Sequence, residues 1–169
     1  MIDQQAAHER VLYEKNKSMM EKSVVISQQE LFPQTLPFSH EDCTILAEIS
    51  EDIRKLGFDL REFGKNTYVL NGVPSGIPSG KEKEFIEKIL ESYKNNNSTL
   101  KSNHSENLLR SISFNLSVKA GQELHASEMS SIVDELFSCS QPNFTPSGKP
   151  TYITLPPSEI EKRFQQRKA

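Results

Sequence analysis

Acids, a base and an imidazole gather in Asp3–Glu14, which reads Asp-Gln-Gln-Ala-Ala-His-Glu-Arg-Val-Leu-Tyr-Glu. The pattern predicts a strand end at Ile2 running into a helix from about Ala6. On such a helix Gln5, Glu9 and Tyr13 share one face at i, i+4 and i+8. An imidazole at position 5 would give His-x3-Glu, a spacing that lets two helical side chains share one metal ion. Gln5 is a carboxamide, a poor zinc ligand, so the stretch reads as a metal-site scaffold with a ligand missing. His8 would need an orienting carboxylate and a substrate pocket to act as a base, and the sequence points to neither. A structural, hydrogen-bonding role is the expectation for it. Asp3, Glu9 and Glu14 read as helix N-terminal charge and as ion-pair partners for Arg10.

The same stretch resembles the Asp-Gln-His-Ala-x-x-Glu-x4-Glu motif in the C-terminal domain of the MutL mismatch-repair family. Asp3, Gln4, Ala6, Glu9 and Glu14 stand where the motif asks, and Gln5 replaces its His. In nuclease members the resemblance implies further ligands: a Cys on a later helix, and the Cys and His of a Cys-Pro-His-Gly-Arg-Pro loop. Here the helix reads Ser-Phe-Asn-Leu-Ser-Val-Lys-Ala-Gly over 113–121, with Phe114 at the Cys. The loop reads Thr-Pro-Ser-Gly-Lys-Pro over 145–150, with Thr145 at its Cys and Ser147 at its His. Only Glu9 keeps a metal-binding side chain, because phenylalanine has no donor atom and hydroxyls are weak ligands for a borderline-soft ion. The expectation is a member with no metal and no nuclease activity. The alternative is a metal-dependent mismatch-repair endonuclease with a degenerate site, and a third reading is a free-standing protein–protein adaptor.

From the resemblance the expected work is homodimerisation of a mismatch-repair protein. ATP-driven N-terminal regions, outside this stretch, would then close around mismatched DNA and coordinate repair. No cofactor is expected in the chain itself, ATP belonging to that other region. The family's strands before the Asp-Gln motif also have no counterpart, so the chain is expected to be a piece of a longer protein. Expected partners are a second copy, a sliding clamp, a mismatch-recognition protein and, weakly and indirectly, DNA.

Gln28-Gln29-Glu30-Leu31-Phe32-Pro33 is the second candidate. A Gln followed three residues on by Leu-Phe, in an extended segment, suits a sliding-clamp ligand. Gln28 would make polar contacts and Leu31 and Phe32 would fill an apolar pocket, with Pro33 closing the segment. The plainer reading is an edge strand whose Leu31 and Phe32 support a subdomain. Several family members use this segment for clamp contact, and both readings hold if the edge is exposed. Pro-Ser-Gly-Lys-Pro lacks the pattern of a nucleotide loop. Lys149, Lys162, Arg163, Arg167 and Lys168 read as a solvated basic face.

Composition bounds the partners. The 169 residues are 35% hydrophobic and 25% charged, with a net charge of −3. That balance argues against autonomous tight binding to nucleic acid. Cys43 and Cys139, without close partners, are expected to be buried thiols in a reducing cytosol, and a cytoplasmic address follows. No apolar run approaches a membrane span.

The elements that must position these groups are read from periodicity. The first helix should reach about Lys22, with an extended segment from Val24-Val25-Ile26 through Thr35. Ser39 should cap a helix carrying Leu46, Ile49, Ile53 and Leu56 and closed by Gly57. Two strands, 58–63 and 67–73, should form a hairpin around Gly64-Lys65-Asn66. A helix carrying Phe85, Ile86, Ile89, Leu90 and Tyr93 should end at Asn95-Asn96-Asn97-Ser98. Later helices should carry Leu108, Leu109, Ile112, Leu116 and Val118, closed by Gly121, and Met129, Ile132, Val133, Leu136 and Phe137, capped by Ser127. A strand at 152–155 and a final helix holding Ile160 and Phe164, capped by Ser158, complete the chain. The fold class is α+β, as two subdomains. Residues 1–26 and 100–169 are expected to form the dimerisation subdomain, with 27–99 an inserted external one. Leu109, Ile112, Leu116, Ile132 and Leu136 are the expected dimer interface, because these stripes offer more apolar surface than such a subdomain obviously buries.

Overall fold

The computed structural model describes residues 1–22, 27–75, 77, 79–97 and 104–165. Val24-Val25-Ile26, Ser98, Arg167 and Lys168 lie outside them. The elements are α1 (Gln4–Lys22), β1 (Gln28–Pro37), α2 (His40–Glu48), α3 (Ser50–Lys55), β2 (Asp59–Glu62), β3 (Thr67–Val73), α4 (Glu82–Asn97), α5 (His104–Leu116), α6 (Ala126–Ser138) and α7 (Pro157–Gln165). Helices with one small antiparallel sheet make the fold α+β. Two compact units divide the chain: Met1–Val11 with Val118–Ala169, and Leu12–Ser117. Sequence reading put the divisions at 26/27 and 99/100.

In the unit Leu12–Ser117, β3 is the central strand of a sheet ordered β1-β3-β2. Gly64, at φ +114, and Asn66, at φ +56, turn the chain between β2 and β3. Only glycine enters the first conformation freely, and asparagine tolerates the second better than most residues. Ser39 caps α2 by accepting a hydrogen bond from the Asp42 amide (3.1 Å). The single helix expected after Ser39 is two, α2 and α3, joined at Ile49. Gly57, at φ +95, follows α3 as its stop. Leu36 from the end of β1, Phe38 just beyond it, Leu70 from β3, and Ile86, Ile89 and Tyr93 from α4 fill one core. Leu108, Leu109 and Ile112 of α5 belong to that core, as does Tyr13. That shared core is why α5 and the second half of α1 fall in this unit, and why the boundaries differ from those expected.

In the other unit, Ala7 and Val11 of α1 pack with Ile132 and Leu136 of α6, flanked by Leu124, Cys139 and Tyr152. Asp3 starts α1 two residues earlier than expected, its carboxylate accepting from the Ala6 amide (3.0 Å). His125, not Ser127, is the N-cap of α6, where Glu128 reaches back to the His125 amide (2.7 Å). The strand expected at 152–155 reduces to one bridge, Tyr152 opposite Ile2. Cys43 and Cys139 are both half-buried, more open than expected.

Candidate functional site

The first two turns of α1 hold the polar groups singled out in the sequence. Gln4 donates to the carbonyls of Gln122 (2.7 Å) and Lys119 (3.4 Å). His8 accepts the Val118 amide at Nδ1 (3.1 Å), so when neutral it carries its proton on Nε2. That is the structural role expected of it. The Asp3 carboxyl is held below its ordinary value, first by the Ala6 amide and then by Lys149, whose Nζ lies 2.7 Å away. Arg10 donates from Nε to the Phe144 carbonyl (2.5 Å).

Glu9 is buried, and burial pushes its carboxyl above the ordinary value against the opposing charges of Lys149, Arg10 and Lys119. Cationic side chains, not further acids, thus dominate its surroundings. The loop 145–149 closes on itself. Thr145 accepts the Lys149 amide at Oγ1 (3.1 Å), its own amide donates to the Lys149 carbonyl (2.8 Å), and its hydroxyl pairs with that of Ser147 (2.8 Å). Buried Thr145 therefore spends its hydrogen-bonding capacity inside the loop. Gln5 is half-buried on α1, and Phe114 is exposed on α5 in the other unit. Among the described residues no three His, Cys, Asp or Glu side chains group closely enough to hold an ion. A closed site needs about four ligands, so this donor set does not fit one.

The unit Leu12–Ser117 carries the second candidate. β1 pairs with β3 at Gln28↔Val73 and Gln29↔Gly72, then resumes at Gln34↔Leu70. Five steps along β1 thus face two along β3, and Glu30–Pro33 bulge out of the ladder. At the tip Leu31 is 90% and Phe32 83% exposed, with Gln28 and Pro33 also exposed. Two large apolar side chains in water on an edge strand are not supporting a core.

The expected dimer-interface residues are placed differently. Leu109 and Ile112 are buried in the core shared with α4 and the sheet, and half-buried Leu116 packs against it. Ile132 and Leu136 are buried against Ala7 and Val11. Leu109, Ile112, Ile132 and Leu136, consumed inside one chain, have no surface to give a second copy, which corrects the expectation for those four. The exposed apolar groups of the unit Met1–Val11 with Val118–Ala169 are instead Met1, Ile2, Met129, Phe137, Phe144, Ile153, Ile160 and Phe164. Met129 and Phe137 lie on the outward edge of the stripe read in the sequence. Phe144, a lone aromatic in a turn-rich loop, gave only a weak signal. Helix α7 buries none of its residues, although Ile160 and Phe164 stand at i, i+4 on one face. No helix among the described residues is long and apolar enough to cross a membrane.

Comparison with known proteins agrees in kind. A family model described as the MutL C terminal dimerisation domain matches residues 1–124. The DNA mismatch repair protein MutL of Pelodictyon phaeoclathratiforme is 40% identical over 167 residues, covering 99% of this chain and 27% of that protein. Those of Chlorobium limicola and Chloroherpeton thalassium are each 38% identical over 164 residues, covering 97% of this chain and 26% of theirs. The chain spans about a quarter of the length of these relatives.

Proposed function

The chain belongs to the MutL C-terminal dimerisation-domain family, and we propose that its work is mechanical: it joins two copies of a mismatch-repair protein. In that reading the joined copies let ATP-driven regions elsewhere in the protein close around DNA and meet a mismatch-recognition protein. This module touches DNA only weakly and indirectly, in keeping with its net charge of −3. It performs no metal-dependent cleavage, in keeping with the donor chemistry at Gln5, Glu9, Phe114, Thr145 and Ser147. A soluble, cytoplasmic setting fits this work.

One observation carries the reading. A nine-residue helix, α7, stands with Ile160 and Phe164 uncovered in a unit that also exposes Met129, Phe137, Phe144 and Ile153. A helix this short is marginal in water without tertiary cover. Several large apolar side chains left in water within one unit suit an interaction surface. A second copy supplies matching surface by symmetry, since in a two-fold dimer the same patch serves on both sides. Phe137→Glu and Phe164→Glu together should convert a dimer into a folded monomer in size-exclusion chromatography with light scattering. A double variant that stays dimeric overturns this choice of surface.

The bulge supports a second part of the reading, contact with a sliding clamp. Leu31 and Phe32 are adjacent in the chain and both exposed on an edge strand, within reach of an apolar pocket on a partner. Replacing both with Ala should weaken clamp binding at least tenfold, since an anchor is worth about 2 kcal/mol or more. Folding should be unaffected, because neither side chain is buried. A double variant that binds the clamp as the parent does would remove this part of the reading.

A further inference from the structure

A finger is useful only if it is held, and the downstream foot of the Glu30–Pro33 bulge is held by a buried acid. Pro33 has no amide hydrogen, so the ladder restarts at Gln34, opposite Leu70. The Gln34 side chain donates from Nε2 to Glu82 Oε2 (3.1 Å). Glu82, the first residue of α4, is 1% exposed, and its other oxygen accepts the Gly80 amide (2.7 Å). Burying a carboxylate is costly, and here the acid is satisfied by backbone and by Gln34. Burial works against the charged form, but amide donors at Glu82 and Gly80 and the Gln34 amide outweigh it and hold the carboxyl below its usual range. An acid at the start of a helix is further favoured by the helix dipole.

The upstream foot is set by close approach. A Cβ at Gly72 would meet Ser27 Oγ at 2.5 Å and the Gln28 carbonyl at 3.1 Å. Gly72 therefore lets β1 come in tightly where the bulge begins. Between these feet the extra residues have nowhere to go but outward.

We propose that Glu82 is the positioning residue for Leu31 and Phe32: through Gln34 it fixes the register at which β1 re-enters the sheet, and so the direction in which the two anchors project. This rests on the clamp-contact reading for its function, though not for its geometry. Glu82 is too deeply buried to touch a docked protein, so any effect it has on binding passes through the groups it holds, of which Gln34 is the one on β1. Releasing it allows the segment to slide, and a one-residue slip sends each side chain to the opposite face. A segment that is binding-competent only part of the time binds more weakly by that fraction.

The test uses the full chain and a purified bacterial sliding clamp, with binding measured well below the melting temperature and backbone amide exchange read at Gln34, Thr35, Leu36, Val69 and Leu70, where β1 re-enters the ladder. Gln34→Ala should weaken binding about three- to tenfold and speed exchange where the ladder resumes, and Glu82→Gln should do the same to a smaller degree, since a turned Gln34 amide still accepts from the new amide. Gln34→Ala leaves Glu82 its Gly80 contact, so it is the variant to read if Glu82→Gln folds poorly. The exchanged pair, Gln34→Glu with Glu82→Gln, restores an amide-to-carboxylate bond and should recover both readouts. If Leu31→Ala/Phe32→Ala abolishes binding while Glu82→Gln and Gln34→Ala bind normally, the positioning role is overturned and clamp contact stands. If the parent chain does not bind the clamp, that reading fails, and unchanged exchange in Gln34→Ala overturns the positioning role separately.

Discussion

Replacing Ile112 with alanine separates core from interface. Ile112 lies 1% exposed on α5, in the core that also takes Leu108, Leu109 and the apolar face of α4. Isoleucine to alanine deletes three carbons, about 2.4 kcal/mol at ~0.8 kcal/mol each. An unfilled cavity adds to that, because neighbouring groups relax only in part. The expected loss is about 3 kcal/mol, within the range of about 2–5 kcal/mol seen for such truncations. For a chain of this size each kcal/mol lowers the melting temperature by roughly 2–4 °C, so the drop should be roughly 6–12 °C. Circular dichroism melts give the temperature, and amide exchange on α4 and α5 should show the loss centred there. Light scattering on the same sample should show the oligomeric state unchanged below the transition. A variant that melts like the parent but falls apart into monomers would refute the placement of α5 in the core and return Ile112 to the interface.

Glu9 and the acid response offer two further tests. Glu9→Gln should leave stability at pH 7 unchanged or slightly raised, because burial disfavours the charged form, and chelator should not shift the melting of either protein. Bound zinc at one per chain, lost in Glu9→Gln, would contradict the non-nuclease reading. Glu106 accepts from the Tyr13 hydroxyl (2.6 Å) and Arg110 Nε (2.8 Å). Burial works against its charge, yet these donors hold its carboxyl below the ordinary 4.5. A depressed folded value means stability that is present above 4.5 and lost as pH falls through the lower, folded value. Tyr13→Phe should cost about 1.5 kcal/mol at neutral pH and flatten that acid loss, measured by denaturant titration across the acid range.

Much of this was legible in residue types. The Asp3–Glu14 stretch carried the family, and Gly57, Gly64 and Asn66 marked their turns because few other residues enter those conformations. The stripe on α5 announced apolar burial but not by what, since periodicity is silent on whether the cover is the same chain or another. That is why Leu109 and Ile112 were read as interface. The cap of α6 went to His125 because Glu128 sits three residues beyond it and reaches its amide, a reciprocal bond that outweighed the better capping residue Ser127. The bulge at Glu30–Pro33 was invisible as a bulge. It depends on where β3 resumes pairing, at Leu70, and on an acid nearly fifty residues away.

Self-association through the exposed apolar surface is the claim on which the account turns, and sedimentation equilibrium of the unmodified chain tests it most directly. At micromolar concentration the chain should sediment with twice its 19.2 kDa mass, dissociating only on dilution. A single species of 19.2 kDa at every concentration would contradict it.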